Sequence, residues 1–206
     1  MTDSAKTFFG LLRHAVTEWN ALRRIQGQAD SPLTPAGRSM ALEWGKLLAG
    51  YGWHRILSSD LGRARDTAGR INRTLNLPVT ADTRLREMDW GKWTGYSVSE
   101  LKTAFPDQWS EQTALEWDFR PPGGESFRDV WQRGIDVLRE ASGTWPGENI
   151  LVVTHEGVIK SILYHKTTLS DLIANGQGLL PYHLHCLVFS DGRLSVERLN
   201  SLSLSA

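Results

Sequence analysis

Apolar runs of strand length alternate along this chain with segments of helical spacing, and that alternation restricts the folds open to it. Strand-like runs fall at Phe8–Leu12, Arg55–Leu57, Ile150–Thr154, Leu184–Phe189 and Leu194–Leu199. Helical patterns lie between the first four. Thr34-Pro35 opens one with a cap and a proline in the first turn, and Met40, Trp44, Leu47 and Leu48 then share a face. Ser59-Asp60 is expected to cap a second, in which Leu61, Ala64, Ala68 and Ile71 align. Ser97-Val98-Ser99-Glu100 reads as a capping box ahead of Leu101 and Phe105. Ser126 caps a fourth helix, with Phe127, Val130, Trp131, Gly134 and Leu138 as its stripe, and a fifth begins near Gly157 with Val158, Ile162 and Tyr164-His165. Helices alternating with short buried strands predict an α/β fold, a three-layer α/β/α sandwich with a mostly parallel sheet. The Ser190-Asp191-Gly192 turn predicts a closing hairpin and so one antiparallel edge strand.

A chain of 206 residues suits one domain, 1–206, or a domain carrying a cap, for which 89–124 is the candidate segment. Lys plus Arg and Asp plus Glu number 23 each. That balance argues against a nucleic-acid or membrane-surface partner, which a basic excess would serve. The single cysteine, Cys186, excludes an internal disulfide and fits a reducing compartment. His183 and His185 share a strand face beside it, but no partner cluster stands elsewhere, so no metal site is expected. The first residues, Met1 to Lys6, lack the apolar core of a signal peptide, and no apolar run approaches a membrane span. A cytoplasmic protein is the expectation.

Four places carry groups suited to chemistry. Arg13-His14 ends the first strand, and in open α/β sheets ligands bind at the carboxyl edge. Arg offers a planar fork for phosphate or carboxylate, and neutral His offers a nucleophile or base. In Ser58-Ser59-Asp60-Leu61-Gly62-Arg63, Arg63 falls in the first turn of a helix, where free amides and the dipole favour an anion. Glu87 stands in a loop, and Thr154-His155-Glu156-Gly157 again reads strand, histidine, helix. Singly, each has a plainer reading: Arg63 a solvated helix charge, Glu87 a loop acid, His155 a core histidine. Together they can converge on one sheet edge.

These residues resemble the histidine phosphatase superfamily, the phosphoglycerate-mutase-like proteins. The resemblance spans about residues 8 to 165. It rests on Arg13-His14-Ala15 with Thr17 and Asn20, Gln26-Gly27, Pro32-Leu33-Thr34 with Gly37, and Ser58-Ser59 with Arg63-Ala64 and Thr67-Ala68. Glu87 with Gly91 and Gly95, Gly123-Gly124-Glu125-Ser126, and His155 with Gly157 complete it. It implies that His14 attacks phosphorus and carries a phosphohistidine, while Arg13, Arg63 and His155 hold the non-bridging oxygens. Asn20, the amide region at Gln26-Gly27, and Glu156 are the implied substrate contacts. Glu87 protonates the leaving oxygen and then deprotonates water, a role that calls for partial desolvation. Neither a metal nor another cofactor is implied, since two Arg and a His can hold the charge of a loose phosphoryl transition state. One departure is Ala15, where the family usually has Gly; its methyl is expected to crowd the backbone after the nucleophile.

Mutases of the family typically carry Glu-Arg-His-Tyr-Gly and extra cations. The matching stretch here is Glu87-Met88-Asp89-Trp90-Gly91, and His155 is followed by Glu156-Gly157 where mutases have Gly-Asn. Both departures favour a metal-independent phosphomonoester phosphatase acting on a small phosphorylated metabolite. Trp90, Trp93, Tyr96, Trp109 and Trp117 read either as packing or as a lid that stacks on a planar group, and the lid reading suggests α-ribazole phosphate. The alternatives are a cofactor-dependent phosphoglycerate mutase and a catalytically idle relative that only binds a partner. The expected partner is a small substrate, and the assembly considered is a homodimer.

Overall fold

The computed structural model describes residues 5–164 and 178–204. Its strands are β1 (Thr7–Arg13), β2 (Arg55–Ser59), β3 (Val79–Asp82), β4 (Asn149–Thr154), β5 (His183–Ser190) and β6 (Arg193–Ser203). They form one sheet in the order β3-β2-β4-β1-β5-β6. β3, β2, β4 and β1 are mutually parallel, β5 runs antiparallel to β1, and β6 returns antiparallel to β5. The expected sandwich and its antiparallel edge are therefore present, the edge being the β5–β6 hairpin turned at Asp191-Gly192.

Seven α-helices are described: α1 (Glu18–Ala21), α2 (Pro35–Leu48), α3 (Gly62–Leu75), α4 (Val98–Ala104), α5 (Pro106–Thr113), α6 (Phe127–Thr144) and α7 (Glu156–Tyr164). Successive strand residues face opposite ways, so each strand feeds two cores. Leu12, Ile56, Leu151 and Val153 pack with Trp44, Leu48, Ala64, Ala68 and Ile71 of α2 and α3. Phe9, Leu11, Leu57 and Val152 pack on the other face with Val130, Val137, Leu138, Val158 and Ile162 of α6 and α7. A sheet buried on both faces is what near-continuous apolar strands require.

One helix start differs from expectation in an informative way. α2, α4 and α6 are capped as predicted, by Thr34, Ser97 and Ser126. α3 is not capped by Ser59 or Asp60; it begins at Gly62 behind Leu61, with no side-chain cap. β2 runs through Ser59, so the turn falls one residue pair later, and Asp60 pairs with Arg86 at 2.5 Å. The His165 end of the predicted fifth helix lies outside the described residues.

Register is what builds the site. Arg13 of β1 stands opposite Thr154 of β4, and Ser58 of β2 opposite Val153. The three strands therefore end side by side at Arg13-His14, Thr154-His155 and Ser59. Because β4 is inserted between β1 and β2, the strand order reverses there, the place where α/β sheets bind ligands. The loop after His14 is pressed onto α2, where a β-carbon at Gly37 would overlap the Val16 carbonyl oxygen.

Candidate active site

His14 is buried, and its backbone N–H donates to the Thr154 carbonyl at 2.8 Å. The ring Nδ1 lies 2.8 Å from the Ala15 carbonyl oxygen. A carbonyl only accepts, so Nδ1 carries the proton and Nε2 is left with its lone pair. Arg63 Nε donates to that lone pair at 3.3 Å. Burial, then the charges of Arg13 and Arg63, hold the His14 ring well below the usual histidine range. The result is a neutral imidazole with a fixed, nucleophilic Nε2. The Ala15 methyl does not strain the backbone: Ala15 is not among the residues with positive φ, its N–H donates to Thr67 Oγ1 at 3.0 Å, and it packs with Leu33 and Ala41. Ala15 therefore needs no left-handed backbone.

Arg63 sits in the first turn of α3 with its guanidinium sequestered. Nη1 donates to Ala29 O at 2.8 Å and Asp30 Oδ1 at 3.2 Å, and Nη2 donates to Gly27 O at 2.8 Å. The free amide anticipated here for an anion is already in use, because the Arg63 N–H donates to Asp30 Oδ1 at 3.2 Å. One carboxylate therefore both occupies the helix start and anchors the Arg63 fork. Burial pushes the guanidinium down from its ordinary value, against the opposing charges of Glu87 and Asp30.

His155 follows β4 and is fully buried, its ring centre 5.1 Å from that of His14. Nε2 lies 2.8 Å from Ser59 Oγ, while Nδ1 is buried without a partner. Burial and then the charge field of His14, Arg63, Arg133 and Arg13 hold this ring well below its usual range too. Glu87 is half-buried and points at the start of α7: Oε1 accepts from Met88 N at 2.8 Å and Oε2 from Gly157 N at 3.2 Å. A β-carbon at Gly157 would overlap Glu87 Oε1, so glycine is what lets the acid approach.

Arg13 ends β1 with Nη1 2.5 Å from Glu156 Oε2, its guanidinium 5.2 Å from the centre of the Tyr182 ring, and its Nε buried without a partner. Glu156 also meets Lys160 at 2.5 Å. Burial would raise the Glu156 carboxyl, but Arg13 and Lys160 outweigh it and bring it below its usual range. Beside Arg13 these side chains, Tyr182 and Leu179 line a cavity of about 140 Å³. Gln26 is buried, with Oε1 unpartnered, and it is the carbonyl of Gly27, not its amide, that meets Arg63. Asn20 Oδ1 accepts from Thr17 N at 3.1 Å and Thr17 Oγ1 at 3.0 Å, closing the α1 capping box.

The tryptophan-rich segment is mostly packing. Trp93 is buried, with ring centres 5.7 Å from Trp109 and 6.0 Å from Phe119, and Trp90 stands edge-on to Phe119 at 5.6 Å. Three partners of the expected residues escaped sequence reasoning: Asp30, Ser59 and Arg133. Arg133 of α6 donates to the carbonyls of Arg84, Arg86 and Glu87 and to both oxygens of Glu125, which fixes the Glu87 loop. His183, His185 and Cys186 have separate partners in Pro181, Asn200 and Ser201. Among the described residues no three His, Cys, Asp or Glu side chains cluster as metal ligands, and no helix is long and apolar enough to cross a membrane.

The sequence pattern of the histidine phosphatase superfamily (branch 1) matches residues 9–202. The chain belongs to that superfamily. Among its relatives is the "Probable phosphoglycerate mutase GpmB" of Salmonella paratyphi B, 39% identical over 146 residues that make up 70% of this chain and 67% of that protein. Among solved structures, Bacillus stearothermophilus YhfR is 31% identical with a TM-score of 0.84, covering 96% of this histidine phosphatase and 98% of that chain. A mycobacterial glucosyl-3-phosphoglycerate phosphatase, solved with VO3, is 28% identical with a TM-score of 0.82 over 95% of this chain and 99% of its own.

Proposed function

We propose that this histidine phosphatase hydrolyses small phosphomonoesters in two displacements through a phosphohistidine at His14 Nε2. That the chain is a phosphatase-type hydrolase follows from its superfamily and from the phosphatases among its structural neighbours. The observation that carries the finer reading is the pair His14–Arg63, a neutral imidazole whose Nε2 lone pair faces a guanidinium N–H. In the first step Nε2 bonds to phosphorus, the ester P–O bond breaks, and the leaving oxygen takes a proton from Glu87. In the second, water attacks phosphorus and gives a proton to Glu87, the P–N bond breaks, and phosphate departs. Arg13 and Arg63 supply fixed positive charge, and they and neutral His155 supply donors to the phosphoryl oxygens, the main requirement of a loose transition state. Dividing one displacement into two is the gain from covalent catalysis.

The likeness to a protein named as a phosphoglycerate mutase favours a second reading, phosphoglycerate isomerisation. Against it stands Glu156, a carboxylate in contact with Arg13 on the cavity wall. An added carboxylate or second phosphate near Arg13 would have to compete with Glu156 for Arg13 and Lys160, the two cations that already pair with it. A monoester without a carboxylate is spared. α-Ribazole phosphate keeps a place in a substrate panel, although the aromatic rings that suggested it are largely occupied with one another. The test is phosphate release from a monoester panel beside interconversion of the two monophosphoglycerates with bisphosphoglycerate present. Phosphate release from the best monoester should be the faster; faster isomerisation would overturn the assignment.

A further inference from the structure

Ser59 ends β2 fully buried, one residue past the Ser58–Val153 pair of the β2–β4 register. Its hydroxyl has one hydrogen to give and lone pairs to receive with. Leu61 N–H donates to Oγ at 3.3 Å, and among the described residues the other contact is His155 Nε2 at 2.8 Å. We propose that Ser59 is a positioning residue that decides which nitrogen of His155 carries the proton, leaving Nδ1–H free as a donor to a phosphoryl oxygen.

Were the proton on Nε2, the Ser59 hydrogen would have no acceptor and the buried Nδ1 lone pair no donor, two unmet groups. With the proton on Nδ1, Ser59 donates to Nε2 and one group is left over, the Nδ1–H itself. Buried polar groups without partners are costly, so the second arrangement is favoured. The remaining orphan is also of the useful kind: a donor attracts an anion, whereas an Nδ1 lone pair would repel it. It belongs to a ring 5.1 Å from His14, beside the place where phosphorus must sit to be attacked. The neighbouring His14 ring follows the same logic with the opposite purpose, since the Ala15 carbonyl holds the proton on its Nδ1 and frees Nε2 to attack. Backbone carbonyl and hydroxyl thus divide two like residues into nucleophile and donor.

The inference rests on the phosphatase reading for its purpose, but its test does not need turnover. Long-range ¹H–¹⁵N correlation spectra of histidine-labelled protein at neutral pH report the tautomer of each ring, and His155→Gln identifies the His155 signals. Wild type should show His155 protonated on Nδ1. Ser59→Ala should shift His155 toward the Nε2–H form, weaken orthovanadate binding, and lower kcat/KM on the order of a hundredfold, the scale of one lost oxyanion donor. Ser59→Thr keeps the hydroxyl and should keep the wild-type tautomer and binding. An Nε2–H tautomer in wild type would overturn the proposal, and so would Ser59→Ala with wild-type tautomer and vanadate affinity. If Ser59→Ala does not fold, the wild-type and Ser59→Thr spectra still decide. A panel without turnover would count against the phosphatase reading and leave the tautomer result standing.

Discussion

At the scale of single residues, the proposed nucleophile His14 and the arginine proposed to hold phosphate, Arg63, are bonded to each other in the free protein. Arg63 Nε covers the His14 lone pair, so an incoming phosphoryl oxygen must draw that N–H away to expose Nε2. His14→Ala should therefore abolish hydrolysis of an aryl phosphate and any acid-labile phosphoenzyme trapped by quenching, with the circular dichroism spectrum unchanged; retained turnover would remove His14 from the first step. Glu87→Gln keeps an amide oxygen for the Met88 N–H but has no proton to donate. It should slow alkyl phosphates far more than p-nitrophenyl phosphate, whose leaving group needs no proton. Equal losses on the two esters would take Glu87 out of the acid role. Arg13, His14, Arg63, Glu87 and His155 were legible because strand–His and strand–turn–Arg patterns mark a sheet edge in one dimension. Asp30 was not, and Ser59 was read only as a helix cap and a motif residue, because a loop acid and a strand-end serine become partners of Arg63 and His155 only once the sheet register is known. The spacing of Asn20 from Thr17 also suits a capping box, and that local bond, made through Oδ1, is formed.

Among the elements, α6 does more than cover the sheet. Each N–H of the Arg133 guanidinium has an acceptor, three of them carbonyls of the segment that delivers Glu87. Arg133→Met would preserve much of the packing yet leave those carbonyls unmet, at about 1–3 kcal/mol for each one that stays dry. A lowered Tm together with a loss of kcat is expected, and Arg133→Lys should recover little because an ammonium cannot reproduce the fork. A variant with wild-type Tm and kcat would show that the loop holds itself. β1, β2, β4, β5 and the long helices were readable from pattern because each buries several apolar residues. β3 was missed because Val79–Asp82 is an edge strand of only four residues with none buried, too short for an alternation to mark it. α1 spans one turn and α5 opens behind Phe105-Pro106 with no buried residue, which leaves nothing periodic to read.

For the molecule as a whole, the site imposes a dependence on pH that the fold must bear. His14 and His155 are held well below the usual histidine range, chiefly by burial, and His185, facing Leu11 across the sheet, is pushed down to about 4 by burial and His183. Each is neutral when folded and ordinary, near 6.5, when unfolded. Below about pH 6.5 the unfolded chain takes up protons that the folded chain refuses, so stability falls as pH falls. Above it both states are neutral and the dependence vanishes. Paired carboxylates such as Asp60, which Arg86 holds low, and Glu156, where Arg13 and Lys160 prevail over burial, are ionised in both states until the pH nears 4. Between pH 6.5 and 5 the histidines therefore dominate, at about 1.4 kcal/mol per pH unit for each one fully protonated in the unfolded chain alone. The urea midpoint should be flat from pH 8 to 7 and then drop steeply toward pH 5. His185→Gln should shallow that drop without touching the phosphoryl site, and His14→Gln should shallow it further. A midpoint that stays level, or rises, on acidification would mean that these rings accept protons in the folded state. That outcome would also undercut the neutral nucleophile on which the proposed chemistry depends.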